Sequence, residues 1–496
     1  MSEEPRESGG AGPRARIGPA LALAAACACN GHGVPVARPA APAPAPAPAE
    51  VAAGPSRLEA LRARIAGSSL AELARLAGPE AELDGLDPPA LAEVGALLWR
   101  RRLEELRADA ARLAEHRARA IRLGDAVMRF EHAVIGERPG PGYPLYIALH
   151  GGGGAPTELN DAQWEHMKVY YRDSVDVGVY AAVRGISDTW DLHFREASYP
   201  LYDRLIEDMI AYADVDPNRV YLLGFSAGGD GVYQITPRMA DRWAAANMSA
   251  GHPNGVSLDN VVRVPFLIQV GELDAAYDRN RVAAAYCGTL RALRQAHPDG
   301  YVHDCFIHLG RPHNFRDNDA SRAPQAVLAD PVAWRERGDR TSVRVDTNAV
   351  AWLRRFVRDP WPARLVWDVE TARPRLDAAA GPDAAPRARL FYWLARGEEP
   401  GAGPERVVAR LDRASNTVHV EQAGASLRIR LRGEMLDLDR EVRIVLPGGE
   451  LRTHVRPDLA TMARTLLERG DPHHMFAVEI AVTRAADGAW SLAGGR

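Results

Sequence analysis

The chain has 496 residues and a formal net charge of −4, which allows two or three domains and a sizeable core. So small a net charge gives no electrostatic reason to expect a nucleic acid as partner. Its four cysteines are too few for a disulfide scaffold, and no apolar run is long enough to span a bilayer as a permanent helix.

The first fifty residues carry features of an export signal rather than of a fold. Arg14 and Arg16 precede a short apolar run over 17–26, and Cys27 follows it. This arrangement resembles a bacterial lipoprotein signal in which Cys27 is lipidated; a disordered leader rich in alanine and proline is the alternative. Residues 39–49 mostly alternate proline and alanine, as in a semi-rigid spacer. We therefore expect a bacterial protein that is periplasmic, extracellular or lipid-anchored at the cell envelope.

Residues 51–125 are predicted to form a helical prefix, with helices continuing to residue 123. Ser69 and Glu72 have the spacing of a capping box. Asp87 before Pro88 is a helix N-cap followed by a proline at the first helical position. The many arginines of this segment are interpreted as a solvated face paired with glutamates, without a chemical role.

Residues 126–360 alternate apolar runs with helical patterns, which indicates an α/β domain built on a mostly parallel sheet. The predicted helices are 202–212, 232–239, 282–296 and a closing helix that includes Trp334 onward and 350–357. The predicted strands are 128–135, 145–149, 179–183, 220–223, 243–250, 264–270 and 301–309.

The strand at 220–223 ends in Gly224-Phe225-Ser226-Ala227-Gly228, and a helical pattern follows. Strand, sharp turn and helix form the context in which a G-x-S-x-G segment exposes a serine hydroxyl. A chance match is the alternative, because glycine and serine are common in this chain. The pattern predicts Ser226 as a nucleophile.

Glycines 151–154 follow His150 at the end of the predicted strand 145–149. Bare backbone amides at such a place can bind the negative oxygen of a tetrahedral intermediate. The predicted donors of this oxyanion hole are the N–H groups of Gly152 and Gly153, together with that of Ala227, the residue after the predicted nucleophile. A phosphate-binding turn and a flexible turn are the alternatives. No Lys-Ser/Thr pair follows the glycines, and no G-x-G-x-x-G opens a helix.

The loop over 184–200 leaves the carboxyl end of a predicted strand, the edge where ligands bind in α/β sheets. Its residues Trp190, His193 and Phe194 are therefore candidates for a substrate pocket. Ordinary packing of these aromatic side chains explains the pattern equally well, and the sequence leaves this choice open.

Asp274 lies just after the predicted strand 264–270, where an acid can orient a catalytic imidazole. Asp278 and Glu272 are rivals on the same loop. His313 follows the last predicted strand, and the order Ser, Asp, His is that of an α/β-hydrolase triad. His313 is preferred as the base.

Two other histidines, His303 and His308, fall within or at the start of the last predicted strand and are less suited to act as the base. Cys287 and Cys305 either pair in an exported protein or stay as buried thiols. No metal site is expected, because no His, Cys or Asp cluster has zinc-type spacing; the pair at 473–474 is interpreted as incidental.

Residues 361–496 show short alternating runs, which predict a small all-β domain resembling a sandwich. Turn residues at 415–416 and 448–449 separate neighbouring runs, as in hairpins, and one helix is predicted over 457–467. This domain either covers the catalytic domain or binds an insoluble polymer or glycan. The predicted strands are 390–394, 407–411, 417–421, 427–431, 442–446 and 476–483.

Over residues 126–358 the chain resembles the α/β-hydrolases, and within them secreted esterases of the polyhydroxybutyrate depolymerase and feruloyl esterase type. The resemblance implies a serine hydrolase that needs no cofactor and cleaves a small-molecule or polymeric ester through an acyl-enzyme. A serine peptidase of the same fold and a surface-anchored binding protein with an inactive scaffold are the alternatives. The sequence leaves the oligomeric state open. The segments that carry the resemblance are 149–151, 216–221, 224–229, 271–274 and His313.

Overall fold

Three of the predicted features lie outside the residues that the structure describes: the leader with Cys27, the spacer and Trp334. Among the described residues, no helix is long and apolar enough to cross a membrane. The structure is a computed structural model, and it describes residues 56–76, 83, 85–316, 321–322, 343–344, 348–369, 390–397 and 405–492.

The prefix contains four helices: α1 (Arg57–Gly67), α2 (Leu70–Leu73), α3 (Pro88–Ala108) and α4 (Ala110–Arg117). Both predicted start signals are confirmed. Ser69 and Glu72 cap each other's backbone at α2, and the Asp87 carboxylate accepts a hydrogen bond from the Ala90 N–H at the start of α3.

The prediction that the helices of the prefix continue to residue 123 is wrong, because they stop at Arg117 and residues Ala120–Leu123 form strand β1. Arg119 has a φ of 57°, a left-handed conformation that no helix can continue through. Ile121 is then fully buried at the edge of the large sheet. One arginine of the prefix is also less solvated than expected, since Arg112 is buried in ion pairs with Glu207 and Asp208.

A ten-stranded sheet follows, with the order β1-β2-β4-β3-β5-β6-β7-β8-β9-β10. Neighbouring strands from β4 to β8 in this order are parallel, and β2 is antiparallel to β4. The strands are β2 (Ala126–Ile135), β3 (Tyr143–Leu149), β4 (Gly178–Val183), β5 (Val215–Phe225), β6 (Ala245–Ser249), β7 (Phe266–Gly271), β8 (His303–His308), β9 (Ser321–Arg322) and β10 (Val343–Arg344).

Helices cover both faces of this sheet, which explains why its central strands are apolar without alternation. Side chains of α6, α7 and α8 pack with one set of strand residues, and those of α5 and α9 pack with the other set. The closing helix is shorter than predicted. The helices are α5 (Thr157–Tyr170), α6 (Ser198–Ala213), α7 (Ala227–Arg238), α8 (Arg279–Ala296) and α9 (Ala349–Leu353).

Cys287 on α8 and Cys305 on β8 form a disulfide, with their Cα atoms 6.3 Å apart. The sequence had left this pairing open. The bond ties the helix to the strand that immediately precedes the His313 loop.

The C-terminal part of the chain has two further five-stranded sheets, as predicted for an all-β region. The run at 390–394 is two strands rather than one, because Tyr392 and Trp393 form a turn with Tyr392 at a φ of 53°. The described residues from 56 onward form one compact unit, and a domain boundary at residue 360 stays a prediction. One sheet holds β11 (Arg364–Asp368), β14 (Arg406–Asp412), β15 (Thr417–Gln422), β17 (Val442–Leu446) and β18 (Gly449–Thr453); the other holds β12 (Leu390–Phe391), β13 (Leu394–Arg396), β16 (Ser426–Leu431), β19 (Val478–Arg484) and β20 (Trp490–Leu492), and α10 (Leu459–Arg469) lies between β18 and β19 in sequence.

A buried ionic cluster centres on Asp471, whose side chain is 1% exposed. Its Oδ2 lies 2.8 Å from the Arg358 guanidinium and 3.3 Å from that of Arg242. The Nδ1 of His474 lies 3.3 Å from the same oxygen, so the interpretation of the histidine pair as incidental is wrong. Because Asp471 is far from Arg242 and Arg358 in sequence, the cluster ties the C-terminal segment to the residues around the large sheet.

Candidate active site

Ser226 stands at the turn between β5 and α7, with φ 58° and ψ −121°. A non-glycine residue holds such a conformation only where the surroundings enforce it. A Cβ on Gly224 would lie 2.1 Å from the Gly228 carbonyl oxygen, and a Cβ on Gly228 would lie 2.1 Å from the Leu149 carbonyl oxygen. Glycine is therefore required on both sides of the serine, and the turn holds the Ser226 hydroxyl at the carboxyl edge of the sheet.

The structure brings the three predicted catalytic residues together. The Nε2 of His313 lies 2.9 Å from the Ser226 Oγ, and its Nδ1 lies 2.8 Å from the Asp274 Oδ2. Asp274 is buried, with 1% of its side chain exposed, whereas the His313 side chain is 32% exposed. The buried carboxylate favours the tautomer with hydrogen on Nδ1, which leaves Nε2 able to accept the serine proton.

Glu272, His303 and His308 have other partners in the structure. The Glu272 carboxylate accepts a hydrogen bond from the Gly310 N–H at 2.7 Å, and Asp278 lies in the left-handed turn before α8. His308 is fully buried and lies 3.0 Å from the Gln269 Oε1, and His303 Nδ1 lies 2.8 Å from the Tyr301 carbonyl oxygen. These contacts join neither a rival acid to His313 nor a rival histidine to Ser226.

The glycine loop, residues 151–154, lies beside Ser226, since a Cβ on Gly151 would be 3.2 Å from the Ser226 Cβ. Gly153, one of the predicted donors, already donates its N–H to the Asn160 Oδ1 at 2.8 Å. Ala227 is the first residue of α7, where helix N–H groups have no partner within the helix. Gly152 and Ala227 are thus the remaining candidate donors, and Gly153 is not a free one.

His150 fixes the start of this loop from within. Its Nδ1 lies 2.5 Å from the Gly151 carbonyl oxygen, and its Nε2 accepts a hydrogen bond from the Gly185 N–H at 3.0 Å. Burial lowers the pKa of the His150 imidazole to about 4, so the ring is neutral at ordinary pH. No sequence pattern assigns His150 a part in this site, because its role depends on a contact with a residue 35 positions away.

The loop that carries His313 is held by aromatic contacts that the sequence analysis also missed. The Tyr170 hydroxyl donates to the Phe315 carbonyl oxygen at 2.7 Å. The Phe315 ring stacks on His308 with ring centres 4.1 Å apart, and the Phe225 ring lies 5.5 Å from that of His313. Residues on three different elements therefore position the imidazole.

Of the three predicted pocket residues, only Trp190 is exposed, at 41%. Its backbone oxygen would lie 3.3 Å from a Cβ on Gly153, so it borders the glycine loop. His193 and Phe194 are buried at 0% and 1%, and their assignment to a pocket is wrong. His193 Nε2 lies 2.8 Å from the His150 carbonyl oxygen, and Phe194 packs in the core beside the sheet.

A cavity of about 750 Å³ lies away from these residues, between the start of α3 and the segment 432–439. Leu91, Met435 and Met462 contribute to its mostly apolar wall, and no triad residue does. Among the described residues, no group of three or more His, Cys, Asp or Glu side chains could hold a metal ion.

The parallel strands from β4 to β8, the helices on both faces and the serine turn after β5 define an α/β-hydrolase fold. No family model matches the sequence, and no curated protein matches it significantly.

Several solved structures are similar to this chain. A thermostable esterase matches 48% of it with 17% identity and a TM-score of 0.32, and the chain spans only 62% of that esterase. The poly(3-hydroxybutyrate) depolymerase LpqC from Bordetella parapertussis matches 42% of the chain and 90% of its own length, with 17% identity and a TM-score of 0.31. A ferulic acid esterase matches 39% and 90%, with 12% identity and a TM-score of 0.29. The assignment of the fold rests on the strand order and the serine turn rather than on these likenesses.

Proposed function

We propose that the protein is a serine hydrolase that cleaves carboxylic esters through an acyl-enzyme. The observation that carries the proposal is the continuous contact from the Ser226 Oγ through both nitrogens of His313 to Asp274, at 2.9 Å and 2.8 Å. A nucleophile, a base and an orienting acid at these distances are what acyl transfer requires.

In the first half of the reaction, the Ser226 Oγ attacks the ester carbonyl carbon while His313 Nε2 takes the serine proton. The carbonyl oxygen becomes negative and accepts hydrogen bonds from the N–H groups of Gly152 and Ala227. The bond to the alcohol then breaks, and His313 gives its proton to the leaving oxygen. Asp274 keeps the imidazole oriented and stabilises its positive charge throughout.

In the second half, His313 removes a proton from water as the water oxygen attacks the acyl carbon. The bond to the Ser226 Oγ then breaks, the serine regains its proton from His313, and the carboxylic acid leaves. Every proton in this cycle is carried by these two side chains, so the cycle needs no cofactor.

The experiment that tests the proposal compares wild type with Ser226→Ala on a series of p-nitrophenyl esters. The variant should fold like wild type and lose nearly all turnover, and a fluorophosphonate probe should label only the wild type. A Ser226→Ala protein with wild-type turnover contradicts the assignment, and a wild type that neither turns over nor labels supports an inactive scaffold.

A serine peptidase remains the second candidate, because an amide uses the same three residues with an amine as leaving group. Peptide p-nitroanilides in the same assay separate the two, since an esterase should prefer the esters strongly. The substrate is proposed to be a small-molecule or polymeric ester, with Trp190 beside the glycine loop as a contact. Export with a lipid anchor at Cys27 also stays a proposal, which metabolic labelling with a fatty acid would test.

A further inference from the structure

Asn160 is a fully buried amide on α5 that faces the glycine loop. Its Oδ1 accepts the Gly153 N–H at 2.8 Å, and its Nδ2 donates to the Ala155 carbonyl oxygen at 3.0 Å and to the Asp188 Oδ1 at 2.9 Å. Gly153 belongs to the glycine loop beside Ser226, Ala155 directly follows that loop, and Asp188 belongs to the loop that borders it. The side chain therefore joins these loops to the helix.

The partners allow only one orientation of this amide. A rotated amide would set its NH₂ against the Gly153 N–H and its oxygen against two other oxygens. Asp188 is itself fixed, because it accepts hydrogen bonds from the Thr157 hydroxyl at 2.7 Å and from the Arg184 guanidinium. The Asn160 amide thus contacts the Gly153 N–H on one side and, on the other, an Asp188 carboxylate that is itself held by hydrogen bonds.

The backbone of Gly152 passes directly against this side chain. A Cβ on Gly152 would lie 2.2 Å from the Asn160 Oδ1, and Gly152 has a φ of 105°, which side chains rarely adopt. The Asn160 Oδ1 therefore lies against the Gly152 backbone and also holds the Gly153 N–H that follows it. No described residue accepts a hydrogen bond from the Gly152 N–H itself.

We propose that Asn160 is a positioning residue that orients the Gly152 N–H toward the developing oxyanion by holding the Gly153 N–H away from it. The inference rests on the proposed ester hydrolysis. Asn160 touches neither the serine nor the reacting carbonyl in this account; it acts through the loop. Without the amide, the four consecutive glycines are free to choose among many backbone conformations, and few of them present a donor to the oxyanion.

The test uses the full chain with Asn160→Ala and, as a matched control, Leu159→Ala on the same helix. Leu159 is 48% exposed, so its truncation should change neither stability nor turnover appreciably. Active sites are counted by stoichiometric fluorophosphonate labelling, which corrects every rate for the folded fraction. If Asn160→Ala does not fold, Asn160→Ser repeats the test with less packing lost. The serine hydroxyl is too short to hold the Gly153 N–H, so this variant still removes the hydrogen bond.

For Asn160→Ala we expect kcat per labelled site to fall about 10- to 100-fold on p-nitrophenyl acetate, the range for a misplaced oxyanion donor. KM should stay within about twofold, because the ground-state ester does not need the donor. The affinity for phenylboronic acid, which forms a charged tetrahedral adduct on Ser226, should fall in parallel with kcat. A residue needed only for folding would lower the labelled fraction and leave all three values unchanged.

Two outcomes overturn the inference, and they are distinct. A wild type without esterase turnover removes the proposed function and this inference with it. An active wild type whose Asn160→Ala variant keeps wild-type kcat and boronate affinity per labelled site overturns the positioning role alone.

Discussion

Neutralising Asp471 tests whether the buried ionic cluster holds the two parts of the chain together. Asp471→Asn keeps the shape of the side chain but removes the charge that faces Arg242 and Arg358, whose side chains are 1% and 2% exposed. Burial alone raises the pKa of the Asp471 carboxyl, yet the Arg358 guanidinium and the hydrogen bond from His474 outweigh it and hold the pKa well below its usual value. Asp471 is therefore ionised at neutral pH and balances both cations.

Removing one partner of a buried ion pair leaves an uncompensated charge in a medium of low polarity, at a cost of about 3 to 5 kcal/mol. Arg242 keeps its contact with Asp203 at 2.8 Å, so the lower part of this range is expected. That loss is a large share of the roughly 5 to 15 kcal/mol by which folded domains are stable.

Urea unfolding followed by tryptophan fluorescence measures the effect, with the slope of the transition as a check that the same surface unfolds. Asp176→Ala is the control, because its ion pair with Arg354 is exposed and worth less than about 1 kcal/mol. If Asp471→Asn unfolds at the same urea concentration as this control, the cluster does not stabilise the fold and the reasoning fails.

Three further predictions concern stability and need the same apparatus. Gly228→Ala should destabilise the protein severely, since the added Cβ would lie 2.1 Å from a backbone oxygen. Gly288→Ala on α8 is the control: nothing lies near the added Cβ, so it should be neutral or stabilise the protein by up to about 1 kcal/mol. Equal unfolding midpoints of the two variants would contradict this prediction. Burial lowers the pKa of both His116 and His132 to about 4, so the unfolded chain takes up protons at higher pH than the folded chain does. The free energy of unfolding should therefore fall as the pH is lowered from about 6.5 to 4. Replacing both histidines with glutamine should make this pH dependence less steep, and an unchanged pH dependence speaks against the prediction. Breaking the disulfide with Cys287→Ser should lower the free energy of unfolding by about 3 kcal/mol for a loop closed over 18 residues, and a thermal midpoint insensitive to reductant would refute this.

What the sequence predicts well has a local cause. The tight geometry of the serine turn requires glycines, and these glycines are visible in the sequence. The capping box at Ser69 is recognised in the same way, because its two residues are three positions apart and bond each other. The hairpin turn at Gly448 is marked in the same way by a glycine with a φ of 81°. These signals need no knowledge of the rest of the chain, and they locate Ser226, the predicted nucleophile.

What the sequence analysis missed depends on contacts between distant residues. The prefix helices end at Arg117 without a glycine or proline to mark the end, and the strand that follows pairs with β2 and buries Ile121. His193 was assigned to a pocket because its loop leaves a strand at the active edge, but its imidazole turns inward to the His150 carbonyl oxygen. The partners of Asp471 lie up to 229 residues away, and no spacing rule reaches that far.

The two arms of the candidate site share one support, helix α5. Asn160 near its start binds the glycine loop, and Tyr170 at its end donates to the Phe315 carbonyl oxygen, in the loop that carries His313. Between them Trp164 and Met167 are buried against the sheet, so the helix cannot shift without losing apolar contacts. Ten residues of helix span about 15 Å, enough to reach from the glycine loop to the loop that carries His313. A displacement of α5 would therefore move the glycine loop and the His313 loop together, which links the packing of this helix to the geometry of the proposed reaction.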